Sequence, residues 1–90
     1  MASNIKRVDY SSKFIKVQRK ASKAIRTAVA NRVELYLKDP YNPQLHNHLL
    51  TGIYKGCRSI NITGDWRAIF IEQGYTVIFV ALGTHSQLYK

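Results

Sequence analysis

The chain has 90 residues, 46% of them hydrophobic and 21% charged, with 14 Lys and Arg against five Asp and Glu for a net charge of +9. That length and balance describe one folded domain, residues 1–90, and exclude a disordered chain, which would lack this aromatic and β-branched content. The longest apolar run, Val77 to Leu82, is far shorter than the roughly 20 residues of a membrane span, and the single cysteine, Cys57, closes no internal disulfide. No apolar stretch follows Lys6 and Arg7, as a secretory signal would require, so a cytoplasmic protein without membrane contact is expected.

In chain order, Ile5 to Tyr10 reads as a short strand with apolar Ile5, Val8 and Tyr10. Ser11 or Ser12 then offers a hydroxyl to cap a helix. Lys13 to Lys38 contains no Gly or Pro, and its apolar residues recur at three- and four-residue steps from Phe14 to Leu37. One unbroken helix there would be about 39 Å long, while a compact domain of this size has a radius of gyration near 12 Å. The spacing therefore predicts two helices folded back on each other, the second capped by Ser22. Asp39-Pro40 ends the second helix. Tyr41 to Gly56 reads as a loop rich in turn formers. Cys57–Ile62, Trp66–Glu72 and Tyr75–Leu82 follow as three strands, with Thr63-Gly64 and Gln73-Gly74 as hairpin turns. Gly83 to Lys90 is too short for another element of consequence. The expected fold is α+β, a helical hairpin on a small antiparallel sheet.

Charge is concentrated in the helices. Residues 1–38 hold ten cations against two acids, whereas residues 39–90 hold four against three. There are too few acids for i,i+4 pairing, so this basic block is expected to meet phosphate backbones or an acidic protein.

The chemistry lies in residues 45–90. His46 and His48 are two apart, and no nearby carboxylate or cysteine completes a metal site, so neither metal nor cofactor is expected. On a strand, Arg58 shares a face with Ile60 and Ile62, while Cys57, Ser59 and Asn61 share the other. The Arg58 head must then reach out past the isoleucines or meet an anion. Asp65 either makes an Asx turn or, with Arg67, supplies a carboxylate and a phosphate clamp across the hairpin. Gly83 lets the chain turn at the strand end and presents His85, with Tyr89 close behind. Adjacent His85 and Ser86 do not make a Ser-His-Asp triad with Asp65. RNA carries its own nucleophile, the 2′-hydroxyl, and its cleavage needs only a base, an acid and cations. This residue set fits that chemistry, with plain nucleic-acid binding as the other reading.

At these residues the chain resembles toxins of the RelE/ParE superfamily, and within it the YafQ-type mRNA interferases. The segments that carry the resemblance are Tyr10-Ser11-Ser12-Lys13-Phe14, His48-Leu49-Leu50-Thr51-Gly52, Tyr54-Lys55-Gly56-Cys57-Arg58, Asp65-Trp66 and Gly83-Thr84-His85-Ser86-Gln87-Leu88-Tyr89. The resemblance implies a type II toxin that cleaves mRNA on the ribosome without a metal and is held inactive by a cognate antitoxin. It implies catalytic roles for His48, Asp65 and His85, and base stacking for Tyr89. Arg58 is assigned phosphate contact by its charge. Members often carry a histidine four residues before the Asp, where this chain has Asn61, which holds an oxygen by hydrogen bond but exchanges no proton near neutral pH. Arg67 follows the Trp where relatives often have an apolar residue, and is expected to clamp phosphate. The basic helices are expected on ribosomal RNA, and the toxin itself as a monomer or weak dimer. The alternatives are a non-catalytic toxin of the same superfamily that inhibits a target such as DNA gyrase, or a nucleic-acid-binding module whose activity has decayed.

Overall fold

The computed structural model describes residues 4–89. Strand β1 (Arg7–Tyr10) leads into α1 (Ser12–Lys20) and α2 (Lys23–Lys38). After 3-10 turns at Pro43–Leu45 and Gly52–Tyr54, which flank β2 (His48–Leu49), come β3 (Arg58–Asn61), β4 (Trp66–Gln73), β5 (Thr76–Thr84) and α3 (His85–Leu88).

The serines stop and start the helices as their chemistry dictates. The Ser11 hydroxyl accepts from the Phe14 N–H at 3.1 Å and donates to the Val80 carbonyl at 2.9 Å, so it caps α1 and ties it to β5. Ser22 accepts from the Ile25 N–H at 3.3 Å and opens α2 after a break at Ala21. A cap of this kind contributes about 1 kcal/mol. The break keeps the molecule compact, with a radius of gyration of 12.1 Å.

The sheet has five strands in the order β1-β5-β4-β3-β2. It is mixed, which corrects the expected antiparallel meander of three strands. β1 runs parallel to β5, with Arg7 opposite Thr76 and Tyr10 opposite Phe79, and all other pairs are antiparallel. Two further expectations are revised. The loop after α2 contributes β2, whose His48 and Leu49 pair with Ser59 and Arg58. The tail forms α3, held by a capping box between Thr84 and Gln87; Lys90, its last residue, lies outside the described residues.

Both helices bury their apolar face on one side of the sheet. Phe14, Val29, Val33 and Tyr36 meet Ile60, Ile62, Ala68, Phe70, Val77 and Phe79 there. Tyr36 and Phe70 pack edge to face with ring centroids 4.8 Å apart, and the Tyr36 hydroxyl donates to the Glu72 carboxylate. Alternation along β4 sends Ile69 to the opposite side, where it joins Ala81, Leu50 and Leu88 in a second, smaller cluster. A bulge after Ile69 leaves Val80 unpaired, so Ile69 opposes Ala81 while Phe70 opposes Phe79. The second face carries the candidate site.

Candidate functional site

A pocket of about 460 Å³ opens over this second face, and His46, His48, Ser59, Arg67, His85 and Tyr89 are among the residues that line it. Sheet register explains the convergence. His48 lies opposite Ser59, and Asn61 lies opposite Arg67, which lies opposite Gly83. His85 and Tyr89 follow the end of β5 and sit at i and i+4 around α3, so both rings fall on one side of it.

His48 Nδ1 lies 2.7 Å from the His46 carbonyl oxygen. In the neutral ring a carbonyl partner makes Nδ1 the protonated nitrogen and leaves the Nε2 lone pair free. The His46 and His48 rings are 4.6 Å apart, centroid to centroid. The His85 ring lies 4.8 Å from that of Tyr89, which also meets Tyr54 edge-on at 5.9 Å. The His85 N–H donates to the Asp65 carbonyl at 3.0 Å, which fixes where α3 begins. Arg67 folds back on the β3–β4 turn, its Nη1 donating to the carbonyls of Thr63, Gly64 and Trp66 at 3.0, 3.2 and 3.0 Å. Two buried polar atoms on this face, Ser59 Oγ and Asn61 Oδ1, have no hydrogen-bond partner.

Of the residues singled out from the sequence, His48, Arg67, His85 and Tyr89 line the pocket. Asn61 sits beside Arg67 on the same floor. Asp65 and Arg58 do not line it. Asp65 is exposed in the turn before β4 and reaches the site through its carbonyl bond to His85. Arg58 lies on the helix side, where its Nε donates to Asn47 Oδ1 at 2.8 Å and its guanidinium carbon stands 5.7 Å from the Tyr41 ring centroid. Strand alternation carries the head of Arg58 to the face opposite the pocket. His46 and Ser59 join the site unforeseen. The alternation that groups Ser59 with Asn61 was the signal for one of them. No group of three or more His, Cys, Asp or Glu among the described residues is arranged to hold a metal ion.

The basic surface lies on the helices. Lys13, Lys16, Arg19, Lys20 and Lys23 are all exposed, and the ion pairs among the described residues, Arg7–Asp9 at 3.0 Å and Lys38–Glu34 at 2.9 Å, engage none of them.

Solved structures with the same architecture include a YoeB/ParE toxin from Agrobacterium tumefaciens, with a TM-score of 0.74 over 89% of this chain and 99% of that one at 12% identity. YafQ from E. coli strain BL21(DE3) matches with a TM-score of 0.78, 94% of this chain, 100% of that one and 22% identity. The same coverage and identity, with a TM-score of 0.75, relate the chain to the toxin of the E. coli DinJ-YafQ complex. No curated protein matches the sequence. This chain thus shares the fold of these solved structures, a mixed sheet with α1 and α2 on one side, and its own pocket of three histidines and one arginine lies on the other. Residues 4–90 match the family described as bacterial toxin of type II toxin-antitoxin system, YafQ, and the chain belongs to that family.

Proposed function

We propose that this toxin is a ribosome-dependent endoribonuclease that cleaves mRNA by attack of the 2′-hydroxyl on the adjacent phosphate. The observation that carries the reading is the convergence of His48, His85 and Arg67 on one pocket, on the face away from the helices. His48 takes the 2′-hydroxyl proton on Nε2, the nitrogen its Nδ1 bond leaves free. The 2′-oxygen bonds to phosphorus, and the bond to the 5′-oxygen breaks. His85, as imidazolium, gives that oxygen its proton. The products are a 2′,3′-cyclic phosphate and a 5′-hydroxyl. Arg67, released from its turn carbonyls, opposes the charge that develops on the phosphorane. Asn61 holds a phosphate or ribose oxygen, and Tyr89 stacks on a base beside the cut. Asp65 contributes by fixing the start of α3 and with it His85.

The unpaired cations of α1 and early α2 dock on ribosomal RNA through phosphate contacts. A cognate antitoxin with an acidic segment covers the same charge. Solved structures include the E. coli DinJ-YafQ toxin-antitoxin complex and a YoeB-YefM complex from Staphylococcus aureus. The test is mRNA cleavage in a purified bacterial translation system with 5′-end mapping, comparing the chain with His85→Ala. Cuts that require ribosomes and vanish in the variant are expected. Intact mRNA under conditions where the chain still halts growth would overturn the reading in favour of a non-catalytic toxin with another target.

A further inference from the structure

We infer that Asn47 and Arg58 form a clamp that sets the tautomer and direction of the His48 ring, making both of them positioning residues for the pocket. The inference rests on the reading of His48 as the proton acceptor. His46 has φ 45° and ψ 49°, and among the described residues it is the one non-glycine at positive φ. A residue with a Cβ holds that left-handed conformation only where its surroundings fix it.

The next residue supplies the fixing. Asn47 uses both ends of its amide: Nδ2 donates to the Pro40 carbonyl at 2.8 Å, and Oδ1 accepts from Arg58 Nε at 2.8 Å. Pro40 stands just past the end of α2, and Arg58 opens β3, so Asn47 is pinned between two regular elements. Arg58 is braced in turn by the Tyr41 ring. A guanidinium can donate in its plane from Nε while its face rests on an aromatic ring, which an ammonium cannot do. With Asn47 held, the His46 carbonyl stays 2.7 Å from His48 Nδ1, and the neutral ring presents its Nε2 lone pair. A ring nitrogen's partner decides which tautomer is populated, so the clamp acts on the site without touching substrate.

The experiment reads ring nitrogen shifts of His48 by long-range 1H–15N correlation on the full-length chain, at a pH where the ring is neutral, together with mRNA cleavage. The wild type is expected to show one tautomer, protonated on Nδ1. In Asn47→Ala and Arg58→Lys the His48 shifts should move toward a two-tautomer average while those of His85 stay. The kcat for cleavage should then fall roughly two- to tenfold, with KM and salt dependence unchanged, the range of one hydrogen bond. Unchanged His48 shifts in both variants would overturn the inference. Unchanged shifts with a raised KM and a salt slope smaller by about one ion would overturn it and make Arg58 a phosphate ligand. Should Asn47→Ala fail to fold, Asn47→Asp keeps the acceptor for Arg58 and loses the donor to Pro40, and wild-type His48 shifts there would overturn the inference equally. If the shifts move as expected in a chain that cleaves nothing, the clamp stands and the nuclease reading falls.

Discussion

Replacing Tyr36 with Phe tests how α2 is held to the sheet. The ring is fully buried between Phe70 and Phe79, with centroids at 4.8 and 6.1 Å, and a Phe keeps that packing. What is lost is the hydroxyl's hydrogen bond to the Glu72 carboxylate. Bonds to charged groups are worth about 1.5–3 kcal/mol, but Glu72 is exposed and regains water, so a loss of about 1–2 kcal/mol is expected at pH 7. In a domain of this size that lowers Tm by roughly 5–10 °C. The pH dependence follows from the same contacts. Burial first, and then the bond to Glu72, hold the Tyr36 phenol well above its ordinary 10.0, with the Arg58 charge opposing. The unfolded phenol ionises near pH 10 while the folded one stays protonated, so the native state binds more protons above that pH. Its contribution is complete below pH 10 and declines as pH rises further, by up to about 1.4 kcal/mol per pH unit. Urea unfolding followed by circular dichroism at pH 7, 9 and 11 measures both effects. The gap between wild type and Tyr36→Phe should be constant from pH 7 to 9 and close at 11. A gap that persists at pH 11, or a loss above about 3 kcal/mol at pH 7, would refute the account.

Other outcomes follow from single contacts. Ser11→Ala removes both the α1 cap and the bond to Val80, and should cost about 1–2 kcal/mol in urea unfolding, more than the Ser22→Ala change, which removes a cap alone. Asn61→His restores a proton-exchanging group beside Arg67 and should raise the cleavage rate about 10²-fold or more in single-turnover assays; an unchanged rate would place Asn61 outside the chemistry. Gly74 has φ 59° at the β4–β5 turn with open space around it, so Gly74→Ala should cost about 1 kcal/mol through the backbone alone, read as a shift in urea midpoint at constant slope.

Local signals were legible and long-range ones were not. The helices, their break and their caps follow from Phe14 to Leu37 spacing and from Ser11 and Ser22, because these effects act within a turn or two of chain. The hairpins around Thr63-Gly64 and Gln73-Gly74 were legible for the same reason. The parallel pairing of β1 with β5 joins opposite ends of the sequence, and no local pattern encodes strand direction. β2 spans two residues, too few for alternation to register. α3 was legible in principle, since Thr84 followed by Gln87 is a capping-box pair. Of the residues that line the pocket, the sequence motifs single out His48, His85 and Tyr89, and the hairpin singles out Arg67. The grouping of Arg58 with Ile60 and Ile62 in the sequence already points to the helix side, where the structure has it. Alternation fixes the face from which a side chain starts.

The parallel pair at the sheet's edge also governs when the molecule comes into being. β5 is synthesised after the four strands beside it in this sheet, and it joins both β1 and β4, so the sheet stays open in the nascent chain until β5 has emerged. Contacts between distant parts of a chain close late and slowly. His85 and Tyr89 follow β5, and the carbonyl of Asp65 has no α3 to hold before then. A growing copy therefore has helices and a charged surface but no pocket. Truncation anywhere before His85 leaves a product without this pocket.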